Sequence, residues 1–263
     1  MAQYNKTSDK YLRNNGENFE VVMLSDKDGN IINTAGSASN IPIASGDVEG
    51  YSHINKFGYN DAIGASLETI WDQGGLYSYA STAGTLTVTS SSTDSGLSVE
   101  VQGLDSDYLP LTETIVASSG GTVGTEEFNR VFRALVVSDA DSTNADDITI
   151  TGDSKTLAKI LEGNGQTLMS IYTVPANKTA YFMKFQGSVD AQNAAGKYKL
   201  MVRPYGGSFN IKGQFGSAGG NPITYDYPVP LVFTEKSDIE IRATSGNNGV
   251  GSIFDLILVD DSV

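Results

Sequence analysis

Apolar and polar positions alternate with a period of two along most of the chain. Thr85–Ser90 (TLTVTS) sets Leu86 and Val88 on one face and threonines on the other. Asp238–Ala243 (DIEIRA) places Ile239 and Ile241 on a core face. Ser98–Leu104 and Leu111–Val116 flank Asp105-Ser106-Asp107, a hairpin signature, and Asp147–Thr151 alternates again. The longer apolar run Phe128–Val137 predicts a central strand. Further strands are predicted over Leu157–Leu161, Leu168–Val174, Thr179–Val189, Tyr198–Arg203, Ser208–Phe215, Ile223–Phe233, Ile239–Thr244 and Ser252–Val259. In the last of these, Phe254, Leu256 and Leu258 alternate while Ile253, Ile257 and Val259 fill the other side. That strand is expected to be buried on both faces. Nearer the start, Phe19–Leu24 predicts a strand, and Asp26–Asn30 a hairpin turn into Ile31-Ile32. Helical periodicity is nearly absent. Ser66–Trp71 predicts a single turn, capped by Ser66 and stopped by Gly74-Gly75.

Short strands spaced by turns predict an all-β protein of two antiparallel β-sandwich domains, at least one of them jelly-roll-like. Residues 1–18 are polar and charged and are expected to form an arm that a partner orders. The first domain is expected over 19–152, carrying a long aromatic loop at 51–79. The second is expected over 153–263, with the turn Gly152–Lys155 as the boundary.

Composition narrows the function. At 263 residues the length favours about two domains, and 29 glycines with abundant Ser and Thr suit many turns rather than a helical bundle. A net charge of −14 repels phosphate and anionic lipid, so neither nucleic acid nor a membrane is an expected partner. The absence of cysteine excludes disulfides, thiolate catalysis and Cys-ligated zinc. The N-terminus shows no apolar signal region, and no apolar run reaches the roughly 20 residues of a membrane helix. Synthesis in the cytoplasm as a soluble protein is the resulting expectation.

Tyr51–Tyr79 gathers the only His (His53), the only Trp (Trp71), four tyrosines and Phe57. His53 lacks a catalytic setting: no GxSxG is present, and adjacent Ser52 points to the opposite face of a strand. One His and no Cys leave oxygen ligands alone for a metal. Asp26-x-Asp28-Gly29-Asn30 starts like a calcium loop, but its Gly comes early and Ser37 stands where a bidentate Glu belongs. Asp139, Asp141, Asp146 and Asp147 form an acidic loop that Asn144 and Asp147 can pin without an ion. Glu126-Glu127 and Asp260-Asp261 read as solvated ends of elements, and Gly216–Gly220 opens no helix that could cradle phosphate. No catalytic residue, metal or cofactor is expected. About half of the aromatics are expected to plug the end of the first sandwich, with Trp71 and Phe57 buried. Tyr51, Tyr59, Tyr77 and Tyr79, with Tyr4 and Tyr11 of the arm, are the candidates for a subunit interface.

Several ordered motifs carry a resemblance. They are Gly50–Gly58 (GYSHINKFG), Glu68–Tyr77 (ETIWDQGGLY), Val101–Asp105 with Glu113-Thr114, Gly163–Pro175 (GNGQTLMSIYTVP), Arg203–Gly206 (RPYG) and Lys236–Ala243 (KSDIEIRA). Over roughly residues 50 to 261 the chain resembles a family of virion structural proteins of tailed bacteriophages, common among marine and cyanobacterial phages. The resemblance implies a place in the particle and no enzyme activity, and it supplies no catalytic residues. The expected role is a capsid-exterior decoration or cement protein, with a tail or head–tail component second. The expected partners are copies of itself and major capsid or tail proteins. A receptor- or glycan-binding module is a different reading, and it requires exposed Trp71 and Tyr77.

Overall fold

In the computed structural model, residues 41–138 and 143–262 are described in full, and 11–14, 17–20, 24–25 and 31–32 by their backbone alone. The chain divides into two units, Met1–Glu49 and Gly50–Val263. In the first, β1 (Tyr11–Asn14) pairs antiparallel with β2 (Glu17–Glu20). The alternation had predicted no element at Tyr11. β3 (Leu24–Ser25) pairs with β4 (Ile31–Ile32), as the expected hairpin requires, although its turn at 26–30 lies outside the described residues. A single helical turn, α1, covers Ile41–Ala44.

The second unit is built on eight nested strands: β5 (Tyr51–Ile63), β14 (Ile171–Thr173), β15 (Lys178–Val189), β16 (Ala195–Arg203), β17 (Asn210–Ala218), β18 (Ile223–Phe233), β19 (Asp238–Thr244) and β20 (Asn248–Asp260). The first pairs with the last, β5 with β20. Moving inward, β14 pairs with β19, β15 with β18, and β16 with β17. Two sheets result, β18-β15-β20-β5 and β14-β19-β16-β17. This nesting is a jelly roll. Phe182, Phe185, Tyr198 and Phe254 are fully buried in the core shared by the two sheets, with Ile239, Ile241, Leu256 and Leu258 around them. Each such side chain contributes roughly 1.5–3 kcal/mol by leaving water.

Between β5 and β14 the chain makes a second sandwich. Its strands are β7 (Gly84–Thr89), β8 (Ser98–Leu104), β9 (Pro110–Val116), β10 (Thr122–Phe128), β11 (Arg130–Val136), β12 (Ile148–Gly152) and β13 (Lys155–Ile160). The sheets are β10-β7-β12-β13 and β11-β8-β9. They enclose Leu86, Val88, Val99, Val101, Phe128, Ile148 and Ile150. The jelly roll is therefore discontinuous in sequence, with this sandwich inserted after its first strand.

Five expectations change. The turn Gly152–Lys155 is no domain boundary, because it joins two strands of one hairpin, β12 and β13. Tyr51–Tyr79 is not a loop of the first sandwich. Its first 13 residues are β5, which follows β20 along nearly its whole length. The predicted turn of helix at Ser66–Trp71 is extended instead, and β6 (Glu68–Thr69) pairs with Arg242 and Ala243 of β19. Tertiary pairing overrides a short helical signal that isolated residues could not sustain. The run Phe128–Val137 breaks at Asn129, and β11 lies at a sheet edge. Its outer side is satisfied by the backbone of residues 165–167: Val136 donates to Gly165 and Thr167 donates to Ala134. Finally, β20 is buried on one face only. Phe254, Leu256 and Leu258 are enclosed, whereas Ile253 is 40% exposed and Ile257 and Val259 are half-buried.

Candidate functional site

The two legs of the insertion run side by side on one edge of β19. Thr69 stands opposite Arg242, and Ile171 opposite Glu240. Ile70 donates to the Ile241 carbonyl, Ile241 to Ser170, and Ser170 to Ile70. The Glu68 carboxylate accepts from the Gly64 amide at 3.0 Å and the Gly75 amide at 2.9 Å, closing the bend after β6. Gly74 and Gly75, at φ of 75° and 68°, supply left-handed backbone there that other residues adopt only with strain. Trp71 Nε1 donates to the Gly75 carbonyl across the same bend.

From this bend an aromatic row enters the junction. Trp71 packs edge-on against Tyr77 at 4.9 Å between ring centres, and Tyr77 against Tyr79 at 4.7 Å. The Tyr77 hydroxyl donates to the Leu157 carbonyl at 3.0 Å and reaches that of Val131 at 3.3 Å. Burial pushes the Tyr77 phenol well above its ordinary range.

Beyond Tyr79, cations and rings alternate. The Arg130 and Arg203 guanidinium groups lie 5.2 and 4.5 Å from the Tyr79 ring. Arg203 and Arg242 lie 4.8 and 4.6 Å from the Phe209 ring. Two carboxylates neutralise this ladder. Asp238 accepts from Arg130 Nε at 2.8 Å, Arg203 Nη2 at 2.6 Å and Thr173 Oγ1 at 2.7 Å. Glu240 accepts from Arg242 Nε at 2.9 Å and Thr69 Oγ1 at 2.7 Å. Burial works to lower the Arg130 pKa, but hydrogen bonds and charge from Asp238 outweigh it, so the group sits above its usual value. Burial raises the Glu240 carboxyl, against the pull of Arg242.

This ladder fastens the insertion to the jelly roll. With Asp238 at 2% and Glu240 at 0% exposure, its acids are not open to a substrate. Alternation puts Asp238, Glu240 and Arg242 on the strand face opposite Ile239 and Ile241. Nothing in local pattern shows that a remote Tyr79, Arg130 and Phe209 cover that face.

The expected interface tyrosines separate. Tyr77 is core and Tyr79 is held between arginines, so neither is free to meet a neighbour. Tyr51 and Tyr59 lie on the outer face of β5 and are half-buried. Tyr4 lies outside the described residues, and Tyr11 begins β1, where the backbone alone is described. Trp71 is buried at 3%, as expected, whereas Phe57 is only half-buried, on that same outer face. We expect Trp71 emission to be blue-shifted and little quenched by acrylamide. Full quenching in the folded protein would contradict the closed junction.

His53 pairs with Asp255 at 3.2 Å and is 44% exposed. Asn144 pins the acidic loop, donating to Asp146 and Leu161 carbonyls and accepting from the Gly165 amide. Asp94, unremarked in the sequence, accepts from the Ala145 and Asp146 amides at 2.8 Å. Asp147 pairs with Lys159 at 2.7 Å, and Asp139 and Asp141 lie outside the described residues. Among the described residues no three His, Cys, Asp or Glu converge as a metal site, and no helix is long and apolar enough to cross a membrane. Asp260 pairs with Lys178, Glu126 and Glu127 are exposed within β10 rather than at its end, and Gly219 and Gly220 turn β17 into β18.

No family model and no curated protein matches the chain. Among solved structures it is similar to the VP2 subviral particle of infectious bursal disease virus, at 13% identity over 81% of this chain and 73% of that one, with a TM-score of 0.22. It is also similar to the Gt strain structure of the same virus, at 12% identity over 81% and 73%, with a TM-score of 0.21. Likeness at that score carries no argument about fold or role, and the jelly roll stands on the strand pairing alone.

Proposed function

We propose that this chain is a non-enzymatic structural protein of a tailed-bacteriophage particle. It sits on the capsid exterior as a decoration or cement protein and acts through contacts with copies of itself and with major capsid subunits. The observation that carries this reading is a jelly roll with one sheet face left uncovered by the described residues. Jelly rolls serve in viral capsids, in lectins and in cupins. A cupin-like interior site is disfavoured, because Phe182, Phe185, Tyr198 and Phe254 fill the space between the sheets. A stacking glycan site through Trp71 and Tyr77 is disfavoured by their burial.

The outer face of β18-β15-β20-β5 suits a subunit contact. It presents Tyr51, Phe57 and Tyr59 from β5, Ile253, Ile257 and Val259 from β20, Tyr181 from β15 and Val232 from β18. It carries few charges: Lys184 meets Asp226 at 3.8 Å, and the Asp255 carboxylate is held by His53 and Asn55. On a chain of net charge −14, this is a face that two copies can bring together without strong repulsion. Exposed apolar sheet faces of this kind mark interaction sites.

Gradient-purified particles are expected to contain the chain at a fixed copy number, resistant to high-salt washing. Its absence from such particles overturns the reading. Ile253→Lys is expected to reduce self-association at least tenfold while changing stability by less than about 1 kcal/mol, as for a surface substitution. Unchanged association in sedimentation would remove this face from the account.

A further inference from the structure

A groove of about 390 Å³ runs along β5 where the jelly roll meets the insertion. Lys56, Phe57, Gln102, Phe132, Arg133 and Tyr172 are among its lining residues. Two features of it call for a ligand.

The first is an open strand edge. The Tyr59 amide donates to the Leu168 carbonyl at 3.4 Å and so points away from β20. Alternation along an antiparallel strand then turns the amides and carbonyls of His53, Asn55 and Phe57 the same way, into the groove. Among the described residues these three make no backbone hydrogen bond on that side.

The second is uncompensated positive charge. Lys56 is 7% exposed, and its ammonium donates to the Phe132 carbonyl. Arg133 donates from Nη2 to Gln166 Oε1 at 3.0 Å and leaves its buried Nε without an acceptor. Among the described residues no carboxylate lines the groove. Of the acids near its rim, Asp255 is held by His53 and Asn55, and Glu100 by Gln102. A cation removed from water without a counter-charge is costly. It is anomalous in a chain this acidic.

We propose that this groove binds an extended acidic peptide segment, whose carboxylate sits between Lys56 and Arg133 and whose backbone pairs with the free edge of β5. Edge pairing supplies register and the cations supply specificity, as in other strand-addition sites. Burial, and secondarily Arg133, lowers the Lys56 pKa to about 7 in the free protein. The other charged or titratable groups around it are His53 on β5, Asp255 on β20, Glu100 on β8 and Tyr172 on β14. Burial pushes the Tyr172 phenol up, so it stays neutral. A bound carboxylate raises the Lys56 pKa again. Below pH 7 Lys56 is already protonated and affinity is level. Above pH 7 binding must also take up a proton, so affinity falls, by about fivefold over the first pH unit and approaching about tenfold per unit beyond it.

The test titrates the whole protein with a synthetic peptide Thr-Val-Glu-Val-Thr, blocked at both ends, and with its Gln twin, by calorimetry and NMR. The Glu peptide is expected to bind at least tenfold more tightly than its twin at pH 6.5, shifting the His53–Phe57 amides, and to lose about fivefold from pH 7 to pH 8. Lys56→Met, which keeps the apolar stem, is expected to shrink the difference between the twins to what Arg133 alone sustains and to abolish its pH dependence. Equal binding of the twins, a flat pH profile for the wild type, or no saturable shift in β5 overturns the proposal. So does acetate binding as tightly as the peptide, because the strand edge would then contribute nothing.

Discussion

Asp238→Ala is expected to lower stability by about 3–5 kcal/mol, because it leaves buried cations unpaired. One carboxylate holds both Arg130 and Arg203, and also Thr173. At roughly 2–4 °C per kcal/mol for a chain of this size, Tm should fall by roughly 10 °C. The damage should concentrate at the junction, since Arg130 belongs to the insertion and Arg203 and Asp238 to the jelly roll. Hydrogen exchange in the mutant should therefore rise first along β6, β14 and β19. In a double-mutant cycle with Arg130→Met, the coupling is expected to exceed about 1 kcal/mol, as for residues in one network. A loss below about 1 kcal/mol for Asp238→Ala, or additive single mutants, would show that the ladder does not hold the two sandwiches together.

Gly58→Ala is the second large effect. A Cβ at Gly58 would stand 2.6 Å from the Ile70 carbonyl oxygen and from Ser170 Oγ, with the Ser170 amide nearer still. Two of these neighbours are backbone of the insertion's legs, so they cannot rotate away. β5 passes its own insertion so closely that only glycine fits. The expected cost is about 3 kcal/mol, at the upper end for overpacking. Gly84→Ala is the control: a Cβ there meets nothing within 4 Å, and stability should move by less than about 1 kcal/mol. Chemical denaturation of the two variants checks the pair, and equal midpoints would contradict the close crossing.

Alternation in the sequence located most strands well, because a half-buried strand writes its inner face at every second residue. Leu86 and Val88, Ile148 and Ile150, and Ile239 and Ile241 all face cores as the pattern implies. Which strands pair was not legible. β5 and β20 are separated by nearly the whole chain, and nothing in Tyr51–Ile63 names its partner. A strong turn such as Gly152–Lys155 therefore looks like a boundary in the sequence, although it lies inside the hairpin of β12 and β13. The open face of β20 is illegible for a related reason: Ile253, Ile257 and Val259 are apolar, but no element of the described chain covers them. The buried ladder was illegible because each charged residue, taken alone, reads as solvated. Only long-range packing brings Tyr79 and Phe209 between three arginines.

Electron cryomicroscopy of purified particles tests the central reading most directly. The account predicts discrete density for a jelly roll with its inserted sandwich on the outer surface of the head, at one repeated station. There the β18-β15-β20-β5 face, carrying Ile253 and Tyr51, should lie against a neighbouring subunit. Particles whose head exterior lacks this density, or in which that face points to solvent at every copy, would contradict it.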